Sequence, residues 1–169
     1  LAGKLPAVLR DVVAASRGPV YLVGGAVRDL LLGRPVRDWD LACAGAEDLA
    51  LALAAAAGSR AVTLRADPLT LRVAVRGTGI VDLVAVGEHD FAADLLRRDF
   101  TVNALALDIA ADELLDPAGG EADLRAEVVR AVSDGVFAAD PARLIRAYRM
   151  AAELGFGIDA ATRELLRRD

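Results

Sequence analysis

Residues 38–40, Asp-Trp-Asp, set two carboxylates on either side of the only tryptophan in the chain. The segment from Asp38 to Ala42 reads as a strand, and in a strand residues i and i+2 point to the same face. Trp39 then needs a packed side, and Asp38 and Asp40 converge on the other. Two carboxylates a few ångströms apart repel unless a cation sits between them. Hard divalent cations such as Mg²⁺ take oxygen ligands and keep positions open for phosphate oxygens. Taken alone, the tripeptide also suits a solvated strand edge or turn.

The surroundings narrow the choice. Val20 to Val23 is a short apolar run that reads as a buried strand. Gly24-Gly25 follows it and opens a helical stretch that ends before Gly33 and Pro35. Glycines let backbone N–H groups approach a phosphate, the helix start favours negative charge, and Arg28 lies one turn further on. A tight strand-to-helix connection is the plainer reading of the same glycines. Helical spacing is found at 5–16, in the Ala/Leu segment 46–57, at 90–97, and from Asp140 onward with a break at Gly155-Phe156-Gly157. Strand-like runs occupy 61–65, 69–76, 79–86, 104–109 and 113–115; Gly77-Thr78-Gly79 makes a hairpin of the second and third. Asp116-Pro117 with Gly119-Gly120 reads as a turn. The order predicts an α+β fold with a mostly contiguous sheet, then helices.

Composition excludes several classes. One Cys among 169 residues forbids a disulfide framework or a cysteine zinc cage and fits a reducing, cytoplasmic setting. No apolar run approaches the ~20 residues of a membrane span. P-loop and Rossmann glycine patterns are absent. Aromatic residues make up 4%, too few for a single-strand stacking platform, and the net charge of −5 offers no chain-wide attraction for RNA. Nineteen of the 20 basic residues are Arg, an Arg-rich, Ala-rich bias that makes Arg abundance alone uninformative.

Four segments in order carry a family signature. Leu22-Val-Gly-Gly-Ala-Val-Arg-Asp-Leu-Leu-Leu-Gly-Arg-Pro-Val-Arg-Asp-Trp-Asp40, Arg97-Arg-Asp-Phe-Thr-Val-Asn-Ala104, Asp116-Pro-Ala-Gly-Gly-Glu-Ala-Asp-Leu124 and Asp140-Pro-Ala-Arg-Leu-Ile-Arg-Ala-Tyr-Arg149 resemble motifs of the bacterial-type (class II) tRNA CCA-adding enzymes and the bacterial poly(A) polymerases. The resemblance spans roughly residues 20–160. It implies a polymerase-beta-like nucleotidyltransferase head with a mixed sheet flanked by helices over residues 1–132, followed by the start of a helical neck at 133–169. It also implies that CTP and ATP are substrates and that a tRNA or other RNA 3′ end accepts the nucleotide, held mainly by regions outside this chain.

By that resemblance Asp38 and Asp40 hold catalytic Mg²⁺, and Gly24, Gly25 and Arg28 contact the triphosphate and ribose. Asp82, an acid inside an apolar strand, is either a third catalytic carboxylate or the partner of an Arg. Arg98 and Asn103 are nucleotide contacts, and Asp99 is either another or a buried partner for an Arg. Asp140 and Arg143, three apart on a helix, form an ion pair or, as in the family, read the base edge. Asp accepts from the amino group that cytosine and adenine share, and Arg donates to the neighbouring ring nitrogen or carbonyl. Arg146 and Arg149 slip around the helix and suit phosphates or the primer end.

The match departs from the family in three places. Ala139 stands where the family usually has Glu. The segment Leu83 to Leu96 is shorter than the usual flexible loop, an economy associated in the family with partial activities such as adding only C-C. Its lone His89 reads as a surface residue. The chain also stops soon after the nucleotide-selecting helix and begins without Met, so it reads as part of a longer protein that holds tRNA poorly by itself. Two rival readings are a non-catalytic nucleotide- or RNA-associated module and a small-molecule nucleotidyltransferase; the first is opposed by the carboxylates, the second by the Asp140–Arg149 segment.

Overall fold

The computed structural model describes residues 1–87 and 91–168, so His89 lies outside the described residues. The chain divides into two units, one of Leu1–Phe91 with Ala106–Leu115, the other of Ala92–Leu105 with the residues from Asp116 onward. Residues 92–105 and 116–132, which the sequence assigns to the head, thus group with the helices that follow.

The first unit is built on a seven-stranded sheet. Its elements are α1 (Ala7–Ala14), β1 (Val20–Val23), α2 (Gly25–Leu31), β2 (Asp38–Cys43), α3 (Ala46–Ala57), β3 (Ala61–Ala66), β4 (Leu69–Val75), β5 (Gly79–Ala85), β6 (Ala106–Asp108) and β7 (Glu113–Leu115). The strand order is β3-β4-β5-β2-β1-β6-β7, and only β2 and β5 run parallel. Alternation explains why one face is covered. Along β4, Leu71, Val73 and Val75 are buried while Arg72 and Ala74 are exposed. Leu49, Ala50, Leu53 and Ala54 of α3 are buried, and this helix packs against β4 and β5. Trp39 is buried and donates its indole N–H to the Thr78 carbonyl at 3.3 Å. The parallel start of β2 and β5 depends on Gly79. A Cβ there would lie 2.2 Å from the Arg37 carbonyl oxygen, and its φ is +117°.

The second unit contains α4 (Phe91–Leu95, whose first residue belongs to the first unit), a 3₁₀ turn at Thr101–Asn103, α5 (Gly120–Arg125), β8 (Val128–Val129), α6 (Val136–Ala139), α7 (Ala142–Leu154), β9 (Gly157–Ile158) and α8 (Ala160–Arg168). β8 and β9 pair in parallel. Phe100 and Phe137, both buried, pack with ring centroids 6.4 Å apart, and Ala147 and Met150 give α7 its buried side.

Several sequence expectations shift here. The strand expected over 104–109 is confined to Ala106–Asp108, because residues 101–103 wind into the 3₁₀ turn. The turn at Asp116–Gly120 opens a helix, with Asp116 accepting from the Gly120 and Glu121 amides at 2.7 and 2.9 Å. The helix expected from Asp140 begins at Ala142, since Asp140 itself is extended. The break at 155–157 holds β9 as well as the left-handed Gly155 that stops α7. Among the described residues, no helix is long and apolar enough to cross a membrane.

Candidate active site

In the first unit Asp38 is exposed and Asp40 half-buried, with Trp39 turned to the core between them. The two acids therefore share the open face of β2, as strand alternation requires. Register extends the polar row. Asp40 pairs with Asp82 across β2 and β5, and Asp82 pairs with Arg72 across β5 and β4. Arg72 donates from Nε and Nη2 to the two Asp82 oxygens, each at 2.7 Å. Asp82 is thus ion-paired with an Arg, one of the two roles the sequence leaves to it. The Arg72 guanidinium is held above its ordinary value by the Asp82 hydrogen bond and charge, with smaller contributions from the charges of Asp38 and Asp40.

Among the described residues, no group of three or more His, Cys, Asp or Glu side chains could hold a metal ion. Asp38 and Asp40 are an all-oxygen pair on one face, a donor set that suits a hard divalent cation whose other positions go to water and phosphate.

The glycine turn lies at the same end of the sheet. β1 is antiparallel to β2, with Leu22 opposite Leu41, so the end of β1 adjoins the start of β2. Gly24 has φ +68° and ψ −133°, open only to a residue without a side chain. A Cβ on Gly25 would stand 3.4 Å from Nη2 of Arg28, so the Arg28 side chain lies back over that glycine. Its Nε donates to Asp29 at 2.9 Å. A cavity of about 570 Å³ occupies the opposite end of β1 and β2, lined by Val12, Pro19, Val20, Cys43, Leu49 and others, away from these carboxylates. Burial there pushes the Cys43 thiol up to about 11, against a backbone hydrogen bond from Gly45.

In the second unit Asp99 is 4% exposed. Its Oδ1 accepts from the Phe100 amide at 2.8 Å and from Asn103 Nδ2 at 3.4 Å, and Nη2 of Arg146 stands 2.8 Å from its Oδ2. Asp99 is thus a buried partner for an Arg, and that Arg is Arg146. Arg98 donates to the Asn103 carbonyl at 3.5 Å. Asp140 sits one residue before Pro141 and accepts from the Ala142 amide at 3.0 Å, so it caps α7. Its other oxygen is 3.7 Å from Nε of Arg143. Arg143 donates to the Val136 and Arg97 carbonyls at 3.3 and 3.4 Å. Asp140 and Arg143 are neighbours as the sequence predicts, although a cap rather than a helical turn brings them together. Arg149 is exposed and 3.6 Å from Glu153.

One network escapes the sequence. Buried Asp123 accepts from Thr101 Oγ1 at 2.7 Å and from Arg130 Nε at 3.0 Å, and Arg130 also reaches Asp159 at 2.8 Å. These charges pull the Arg130 guanidinium above its ordinary value, the Asp123 hydrogen bond most of all. No local pattern marks it; only the Asp116-Pro-Ala-Gly-Gly turn hints that the following Asp lies on a short helix.

Comparison with known proteins supplies the remaining constraint. Residues 20–67 and 69–130 match the family described as the poly A polymerase head domain. The CC-adding tRNA nucleotidyltransferase of Geobacter sulfurreducens is 44% identical over 168 residues, covering 98% of this chain and 39% of that protein. That of Synechocystis sp. is 43% identical over 149 residues, 86% of this chain and 36% of the relative. A solved complex of a CCA-adding enzyme with CTP superimposes with a TM-score of 0.85 at 31% identity, over 95% of this chain and 41% of that one. The chain spans about two fifths of the length of the curated relatives it matches.

Proposed function

Since the chain belongs to the family of the poly A polymerase head domain, we propose that it is the nucleotidyl-transferring part of an enzyme that adds cytidylate from CTP to the 3′ end of tRNA. The observation that carries this reading is the Asp38–Asp40 pair on the open face of β2, at the sheet end where the Gly24–Gly25 turn emerges.

In this reading Asp38 and Asp40 hold Mg²⁺, which when bound neutralises triphosphate charge and lowers the pKa of the attacking hydroxyl. The protein's own task is positioning and charge stabilisation, because phosphoryl transfer asks for little covalent help. The bare backbone at Gly24 and Gly25 admits phosphate oxygens, and the Arg28 guanidinium, already oriented by Asp29, adds a charge-assisted contact. In the second unit Arg98 and Asn103 offer donors to the nucleotide. Asp140 and Arg143 present an acceptor beside a donor, the pattern that pairs with cytosine's amino group and its ring nitrogen or carbonyl. Holding Arg143 on two carbonyls fixes that pattern before substrate arrives. Arg149, exposed on α7, suits a phosphate of the RNA end, whereas Arg146 spends a nitrogen on Asp99. Asp82 is a third carboxylate in reserve while Arg72 occupies it. An RNA substrate supports placing the reaction in the cytoplasm.

Cytidylate alone is favoured by the names of the two relatives and by the short segment from Leu83 to Leu96. A second reading, addition of adenylate as well, is favoured by Asp140, whose acceptor serves the amino group of adenine equally. Both are tested by sequencing the products made on a tRNA that ends at the discriminator base, with CTP alone, ATP alone, and both. Two added C residues with CTP and nothing with ATP is the expected result. A terminal A in the mixture selects the second reading. An Asp40→Ala enzyme that extends tRNA as fast as the parent removes Asp40 from the site.

A further inference from the structure

The Arg72–Asp82 fork plays no part in the chemistry above, yet it stands one strand away from Asp40. β4, β5 and β2 are neighbours, and their register sets Arg72, Asp82 and Asp40 side by side in one row. Both Asp82 oxygens are engaged, each at 2.7 Å. A planar guanidinium fork fixes its carboxylate in one orientation, which a lysine ammonium does not do. The charges of Asp38 and Asp40 act on the same guanidinium. The Arg72 side chain remains 45% exposed, so an incoming phosphate can reach it. We infer that Arg72 is a positioning residue that withholds Asp82 from the divalent cation while no nucleotide is bound, so that metal enters well only together with a triphosphate.

This inference rests on the reading of Asp38 and Asp40 as the metal carboxylates. With Arg72 in place, Asp82 is neutralised, one of the three acids Asp38, Asp40 and Asp82 on these neighbouring strands. Two carboxylates are a thin ligand set for a hard cation, and phosphate oxygens complete it. Released from Arg72, Asp82 would add a third carboxylate on this face and let a cation bind with or without substrate. The fork can later exchange, because guanidinium matches phosphate as well as it matches carboxylate.

The probe is Mn²⁺, titrated into the full chain and followed by the paramagnetic resonance of the free ion, first without nucleotide and then with a non-reactive CTP analogue. Arg72→Met should bind Mn²⁺ about tenfold more tightly than the parent without nucleotide, a size in keeping with removing one unit charge beside a divalent ion near a protein surface. The gap should close to less than about twofold with the analogue, because the phosphates then supply the missing charge. Arg72→Lys keeps the charge but loses the fork and should fall between. Adding Asp82→Asn to Arg72→Met should restore the parent affinity. Unchanged or weaker binding in Arg72→Met, with its thermal transition intact, overturns the inference. If Arg72→Met does not fold, parent-like affinity in Arg72→Lys overturns it instead. Should Asp40→Asn bind Mn²⁺ as the parent does, the metal reading fails and takes this inference with it, an outcome distinct from failure of Arg72 alone.

Discussion

The two units use the same chemistry, aspartate beside arginine, to opposite ends. On the sheet of the first, Asp38 is exposed and Asp40 half-buried, on the face opposite the core. In the second, Asp99 and Asp123 are 4% and 6% exposed, and each meets an arginine. A buried carboxylate without a partner is costly, so inside the second unit the pairing holds the structure together. An exposed one keeps its charge at little cost and remains available to a ligand. Burial, rather than residue type, separates the acids on the open sheet face from those packed inside the second unit.

The greatest contrast in stability should come from the acids themselves. Asp123→Ala leaves the buried Thr101 hydroxyl without its acceptor and Arg130 with Asp159 alone, and should cost about 3 kcal/mol, the upper end for leaving a buried donor unsatisfied. Asp38→Asn, on the open face, should shift stability by less than about 0.5 kcal/mol, while removing most turnover. Urea unfolding of both variants checks the pair. An Asp38→Asn penalty as large as that of Asp123→Ala would erase the distinction.

Next in size are the two glycines that permit close backbone approach. A Cβ at Gly79 would lie 2.2 Å from the Arg37 oxygen, and one at Gly120 2.2 Å from the Thr101 oxygen. Each alanine variant should lose about 1–3 kcal/mol through backbone displacement. Gly79 should suffer more, because its φ of +117° is also strained for alanine. The functional consequences diverge as well. Gly79 adjoins the point where Ile80 pairs with Asp38, so Gly79→Ala should weaken Mn²⁺ binding. Gly120→Ala, in the second unit, should leave it alone. Equal weakening by both would show that Mn²⁺ binding does not depend specifically on the strand that carries Asp38 and Asp40.

The same contrast governs what could be read in advance. β1 falls on the predicted run, Val20–Val23, and β2 starts at the predicted Asp38, because glycine punctuation and period-two alternation are local signals. The Arg72–Asp82 pair was within reach too, since closing the hairpin through Gly77-Thr78-Gly79 brings those residues opposite each other. The second unit yielded less. β8 and β9 are two residues each, too short to alternate, and exist because Val128 and Val129 meet Gly157 and Ile158. The Thr101–Asp123–Arg130–Asp159 network joins residues far apart in the chain, and no spacing rule announces it. The sequence pattern puts Asp140 inside the helix that it caps, because the helical spacing runs on from it and the following Pro141 suits a first helical position.

Two arginines on α7 bring the contrast down to its smallest scale. Arg146 and Arg149 lie three residues apart, yet Arg146 touches buried Asp99 at 2.8 Å while Arg149 lies 3.6 Å from exposed Glu153. An exposed pair at that spacing contributes about 0.3–0.5 kcal/mol at best, and arginine preceding glutamate is the less favourable order along the helix dipole. Arg149→Ala should therefore leave the unfolding midpoint nearly unchanged, whereas Arg146→Ala leaves Asp99 a buried charge without its ion-pair partner and should lower it measurably. If Arg149 meets an RNA phosphate, its removal should raise KM for tRNA with little change in kcat. It should also reduce the slope of log affinity against log salt by about one. A stability loss in Arg149→Ala matching that of Arg146→Ala, with the salt slope unmoved, would place Arg149 among the scaffold arginines after all.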